Sequence, residues 1–270
     1  METMTIDSIR EIEKSVLERS AAQDRQVKGI WGVDCLFNPS NNGRVFDYKF
    51  LVTQTLGQGC AYSASFDYPR EFLRQYIGRD FLECGIGDTA LKVSFLDSMY
   101  GALFPPDNKR RLISEASSYE KMKWRTRIIL DEATRLLGDL KNKKIVNVGV
   151  VGDILLAFAE KGAEIAGTDY DASIVGTGAF GRIPVYDGKE TIKAVSESDL
   201  AVITGMTITT NTIDEIIECC SGNNVRTIVF GETGANLAGY YVKHGIDVYL
   251  AEYFPFYIFN GRSVIDVCYA

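Results

Sequence analysis

Residues 145–153 read IVNVGVVGD. An apolar run breaks into glycines at 149 and 152 and spells N-x-G-x-x-G, one position short of the dinucleotide fingerprint G-x-G-x-x-G. The flanking sequence gives the motif its context. Upstream, YEKMKWRTRIILDEATRLLGDL (119–140) has helical spacing; downstream, DILLAFAEKG (153–162) reads as a helix and AEIAGTDYD (163–171) as the next strand. The alternation continues through a glycine-rich loop, the short strand IPVYDG (183–188) and a helix from about Lys189. DLAVITG (199–205), the helix TIDEIIECC (212–220), RTIVFG (226–231), the helix NLAGYYVKHG (236–245), IDVYLAEY (246–253) and SVIDVCYA (263–270) follow. Continuous apolar strands separated by such helices predict βαβ units around a mostly parallel sheet buried on both faces. The right-handed crossover rule then gives an α/β, doubly wound, Rossmann-like domain, in which ligands gather beyond the C-terminal strand ends.

The chain divides near PPDNKRR (105–111), with a smaller α+β N-terminal domain over 1–112 and the Rossmann-like domain over 113–270. METMTIDSIREIEKSVLERS (1–20) is a charged amphipathic helix capped at Asp7 or Ser8. VFDYKFLVTQTL (45–56) and CAYSASF (60–66), separated by GQG, form a hairpin. YPREFLRQYIG (68–78) and GDTALKVSFLDSMYGALF (87–104) read as helices.

Composition narrows the function. The chain has 270 residues, 46% hydrophobic and 24% charged, enough for a sizeable core. A net charge of −7, with only NKRR and KNKK as basic clusters, argues against nucleic-acid binding, and both clusters read as solvated turns. No apolar run is long enough to span a bilayer and the first twenty residues lack the apolar core of a secretory signal, so a cytoplasmic protein is expected. Six scattered cysteines (Cys35, Cys60, Cys84, Cys219, Cys220, Cys268) read as buried small hydrophobes. The single histidine, His244, stands at a helix end before Gly245 and reads as a cap. No metal site is expected, the partner is a small-molecule substrate, and a homodimer is the base-rate assembly.

The ligand follows from the motif. Gly149 and Gly152 fall where the strand turns into a helix, with Gly149 admitting a ligand to the backbone and Gly152 letting the helix pack against the strand. Asp169 ends the next strand, where an acid accepts hydrogen bonds from ribose hydroxyls. Asn147 replaces the first glycine and would intrude on a pyrophosphate, which disfavours NAD, and no G-K-[ST] follows to make a Walker site. S-adenosylmethionine (SAM) has no phosphate, and its amino-acid head suits the Asn147 amide. In VITGMTITTNTID (202–214) the hydroxyls of Thr204, Thr207, Thr209 and Thr210 crowd the loop, and Thr204 and Thr207, with Gly205 between them, point toward the same sheet edge as Asn147. Thr212 and Glu215 are spaced as a capping box.

SDLAVITGMTITTNTIDEII, RTIVFGETG and HGIDVYLAEY together resemble the C-terminal Rossmann-like domain of the family described as "putative heavy-metal chelation". CGIGDTALKVSFLDSMYGALF is similar to the helix closing that family's enolase-N-terminal-like leader domain. The most specific part of the match is T-G-x-T…N-T, at Thr204, Gly205, Thr207, Asn211 and Thr212. A single histidine does not suit chelation, while the acid in GTDYD suits SAM.

Within this fold group the chain resembles azetidine-2-carboxylate synthases, which consume SAM by closing its methionine chain on itself. That resemblance implies a lyase-like cyclisation releasing 5′-methylthioadenosine. For such chemistry Asn147 and Thr207 would orient the α-amine, Tyr170 and Tyr186 would face the sulfonium, and Asp187 would meet the adenine amino group. The stretch EYFPFYIF (252–259) or the N-terminal domain would exclude water. A SAM-dependent methyltransferase and a non-enzymatic metal carrier are the alternatives.

Overall fold

The computed structural model describes residues 7–38, 45–64 and 68–270. Its first element, α1 (Ser8–Arg19), starts where the Asp7 side chain accepts the Arg10 N–H at 3.1 Å, as expected of a cap. Three strands follow, β1 (Gly29–Phe37), β2 (Phe46–Gln54) and β3 (Gln58–Tyr62), paired antiparallel in that order. β2 and β3 are the expected hairpin, although β3 stops at Tyr62 and residues 65 and 66 of the predicted run lie outside the described residues. β1 is an addition to the sequence reading. Gly29, Gly32 and Asp34 interrupt its apolar alternation, and only pairing with β2 makes it a strand. After the short α2 (Arg70–Arg74), α3 (Thr89–Leu103) lies on this sheet with Asp88 as its cap, accepting the Leu91 N–H at 2.8 Å.

The chain then passes once, through 104–108, into the second unit. Its elements are β4 (Lys109–Ser114), α4 (Ser118–Leu137), β5 (Lys144–Val148), α5 (Gly152–Glu160), β6 (Glu164–Asp169), β7 (Val185–Asp187) and α6 (Thr191–Ser196). β8 (Leu200–Thr204), α7 (Met206–Thr209), α8 (Ile213–Asn223), β9 (Arg226–Gly231), α9 (Ala238–Tyr241), β10 (Val248–Glu252) and β11 (Ser263–Tyr269) complete it. Among the described residues, eight strands form one sheet in the order β4-β11-β10-β9-β8-β5-β6-β7. The run from β10 to β7 is parallel, and β11 and β4 add antiparallel at one edge. This is the Rossmann order, with its reversal between β5 and β8.

Both faces of the parallel strands are covered, which is why they read as unbroken apolar runs. Val146, Val148, Ala201, Ile203 and Val229 pack toward α3 and α8. Ile145, Leu200, Val202, Ile228 and Leu250 pack toward α4 and α5. Two local readings change. KRR (109–111) is not a solvated turn but the start of β4, where Lys109 and Arg111 reach fully buried Asp266 on β11 at 2.9 and 2.7 Å. β4 therefore straddles position 112. The helix expected over 236–245 is confined to α9, with a turn of 3₁₀-helix on each side.

Among the described residues, no helix is long and apolar enough to cross a membrane. The six cysteines are free thiols; Cys60, Cys220 and Cys268 are buried as expected, while Cys35, Cys84 and Cys219 are only partly so. His244 supports the cap reading. Its Nδ1 lies 2.7 Å from the Tyr240 carbonyl, which can only accept, and its ring stacks on Tyr240 at 4.0 Å.

Candidate functional site

β6 leaves β5 to one side and β8 lies on the other, so the loops from the C-terminal ends of β5 and β8 splay apart. Between them is a cavity of about 470 Å³, within the roughly 300–1,000 Å³ of single small-molecule sites.

Gly149 leaves β5 at φ +74° and donates its N–H to the Thr168 carbonyl at 2.9 Å. A Cβ at this position would stand 2.3 Å from Thr204 Cγ2, so both angle and space demand glycine. Asp169, at the end of β6, accepts the Val150 N–H at 2.8 Å on one oxygen and the Asp171 N–H at 2.9 Å on the other. Each oxygen keeps a lone pair for a ligand. Thr204 ends β8, and its carbonyl accepts the Thr207 hydroxyl at 2.7 Å. The Tyr170 ring lies over Gly188, where a Cβ would come within 2.7 Å of it. Gly149, Asp169, Tyr170, Thr204 and Thr207 all border the cavity.

The other five predicted site residues do not. Asn147 is fully buried: Nδ2 donates to the Val202 carbonyl at 3.0 Å and Oδ1 accepts the Val151 N–H at 2.9 Å. Its amide ties β5, β8 and the glycine turn together rather than facing a ligand. Gly152 starts α5, but its close neighbour is the Phe180 ring, 2.6 Å from where a Cβ would stand, and not a strand. Tyr186 and Asp187 lie on the β7 edge, and the Asp187 carboxylate accepts the Lys189 N–H at 2.9 Å as the cap of the next turn. Gly205 donates to the Phe230 carbonyl at 2.8 Å, and a Cβ there would meet the Thr233 carbonyl at 2.6 Å. It joins β8 to β9.

Two further expectations are corrected. The Thr212–Glu215 capping box is absent, because Thr212 Oγ1 pairs with Thr210 Oγ1 at 3.0 Å and accepts no N–H from the first turn of α8. Thr209 likewise turns inward, donating to the Met206 carbonyl at 3.0 Å. The aromatic stretch 252–259 does not cover this cavity. Phe256 and Tyr257 pack with Phe50 of the antiparallel sheet, and buried Lys121 holds the following turn through the Phe259 and Gly261 carbonyls.

The uncapped Glu215 instead borders the cavity, beside Thr207, Thr210 and Thr212. Tyr62 and Ala64, at the end of β3, form the wall that the N-terminal unit supplies. Burial pushes the Tyr62 phenol up, and the carboxylates of Asp47 and Asp169 push in the same direction. No local pattern marks Tyr62, because only the docking of the two units brings it there. Glu215 carried a signal, the spacing from Thr212, but that spacing suggested a different task. The wall's charged side chains are Asp169, Asp171 and Glu215 against Lys189.

Known proteins frame this geometry. Residues 132–252 match the DUF364 family, described as "Putative heavy-metal chelation". The DUF364 segment runs from the middle of α4 to the end of β10 and contains the cavity's Rossmann wall. A protein of unknown function from the DUF364 family of Desulfitobacterium hafniense DCB-2 is similar over 96% of this chain and 97% of its own, at 13% identity and TM-score 0.59. One from Pyrococcus horikoshii is similar over 96% and 100%, at 11% identity and TM-score 0.52. These likenesses extend the shared fold beyond the DUF364 segment to both units. No curated protein matches the chain. Among the described residues, no group of three or more His, Cys, Asp or Glu side chains is placed to hold a metal ion.

Proposed function

We propose that the cavity at the β5–β8 reversal binds SAM, and that the bound molecule is closed on itself to azetidine-2-carboxylate and 5′-methylthioadenosine. The observation that carries this reading is the charge of the wall: three acidic residues, Asp169, Asp171 and Glu215, line it with one basic residue, Lys189. SAM carries a sulfonium and an α-ammonium against a single carboxylate, so it suits such a wall better than a pyrophosphate does. Asp169 stands where ribose hydroxyls are met in this fold. Tyr62 and Tyr170 offer aromatic faces to the sulfonium, worth about 0.5–2 kcal/mol.

The reaction asks little of the protein beyond orientation and the removal of one proton. The α-amine attacks Cγ, the Cγ–S bond breaks, and its electron pair leaves on sulfur as a neutral thioether. Glu215 and the hydroxyl oxygens of Thr207, Thr210 and Thr212 are the acceptors available to the amine and its departing proton. Asn147 has no part in this step.

The test is mass spectrometry of the protein with SAM alone. Methylthioadenosine and a four-membered cyclic amino acid, without S-adenosylhomocysteine, are expected. SAM that binds yet stays intact until a second small molecule is added would replace this reading with methyl transfer.

A further inference from the structure

A second chamber, of about 100 Å³, lies between the Rossmann sheet and the antiparallel sheet, beyond the C-terminal ends of β9 and β10. It shares no residue with the cavity at β5 and β8. Three carboxylates enter its wall, from Asp97 on α3, Glu232 after β9 and Glu252 on β10, and their residues are 1%, 6% and 1% exposed.

The three are provided for unequally. Asp97 accepts the Cys60 N–H at 2.8 Å, the Asn236 N–H at 2.7 Å and Asn236 Nδ2 at 3.2 Å. Glu252 faces the buried Arg125 guanidinium at 3.5 Å. Glu232 takes a hydrogen bond only from its own backbone N–H among the described residues. A buried carboxylate with a single backbone donor costs several kcal/mol unless it is neutralised, and Arg125 is one cation among three acids. Burial pushes both Asp97 and Glu232 up to about 7, so without a ligand the chamber tends to hold protons in place of a cation.

The missing cation is constrained in kind. The acids do not converge as a metal site requires, whereas an ammonium group spreads three N–H donors over separate acceptors. A recess of about 230 Å³ adjoins the chamber, sharing Asn236 and Tyr253 with it, and Lys109 and Arg111 stand in its wall. These two cations share the single carboxylate of Asp266, which leaves the recess with one unmatched positive charge.

We propose that the chamber takes the ammonium group of a small amino acid, with Glu232 accepting from it and its carboxylate directed toward Lys109 and Arg111. The volume fits this size: 100 Å³ is the share of about three water molecules, room for an ammonium and a methylene or two.

Titration calorimetry on the full chain without SAM tests the proposal, using glycine, β-alanine and γ-aminobutyrate as probes. At least one should bind at millimolar concentration with one site per chain. Its N-trimethyl form, which keeps the charge and loses every donor, should bind about tenfold more weakly or worse. Glu232→Gln, which preserves shape, should weaken binding by a similar factor, while Glu215→Gln in the larger cavity should leave it unchanged. Three results would each overturn the proposal: no binding by any probe, equal binding of the trimethyl form, or sensitivity to Glu215→Gln in place of Glu232→Gln. The trimethyl comparison uses the unmodified chain, so it decides even if Glu232→Gln does not fold.

Discussion

Asn147 and Asp169 both hold the glycine turn, but only one of them borders the cavity. Asn147→Ala would remove the side-chain partner of both the Val202 carbonyl and the Val151 N–H. We expect a loss of about 1–3 kcal/mol of stability in urea unfolding, with SAM affinity unchanged where the variant is folded. Asp169→Ala should do the reverse, weakening SAM binding by about 1–3 kcal/mol in calorimetry while costing less in unfolding. Equal SAM affinities would remove Asp169 from the site. Asp169 was legible because strand, turn and spacing are local. Asn147 was misassigned because its sequence gives its donors and acceptors but not their direction, and here they point into the sheet. Tyr62 was hidden for another reason: its relation to Asp169 exists only after the two units meet.

The parallel strands, buried on both faces, announced themselves as apolar runs, and the helices between them followed. The elements that escaped are those whose stability is borrowed. β1 depends on β2 across nine paired residues, and β4 is a basic run held by Asp266. The caps show the same division. The Asp88 carboxylate accepts the Leu91 N–H at the α3 N-terminus, whereas Thr212 matches the capping pattern and makes no cap bond. Asp88→Ala should therefore cost about 0.5–2 kcal/mol, and Thr212→Ala only a few tenths, in urea unfolding. Comparable losses would restore the capping box.

Across the whole molecule, buried acids join the two units, and their titration should appear in stability. Asp97 and Glu232 have folded values pushed up by burial to about 7, well above those of an unfolded chain. The folded state thus favours their protonated forms. Their contribution is fully present below the ordinary carboxylate range and is lost as pH rises through about 7. Asp266 has the opposite sign, since Arg111 and Lys109 hold its carboxyl down against burial, and its contribution fails only in acid. We expect Tm to fall from pH 5.5 to pH 8 by an amount corresponding to roughly a few kcal/mol, with Asp97→Asn and Glu232→Gln flattening the slope. A flat wild-type profile would show that these acids are ionised throughout. The passage through 104–108 has a consequence of its own. It is the sole covalent thread between the units, and β4 immediately beyond it is clasped by β11, with Lys109 opposite Cys268. A nick in this thread would free neither piece, because Asp97 grips Asn236 and the Thr233 hydroxyl accepts the Tyr62 N–H across the break. The chain is in that sense already a split protein awaiting its cut: residues 1–107 and 108–270, made as separate polypeptides, should find each other and rebuild one molecule.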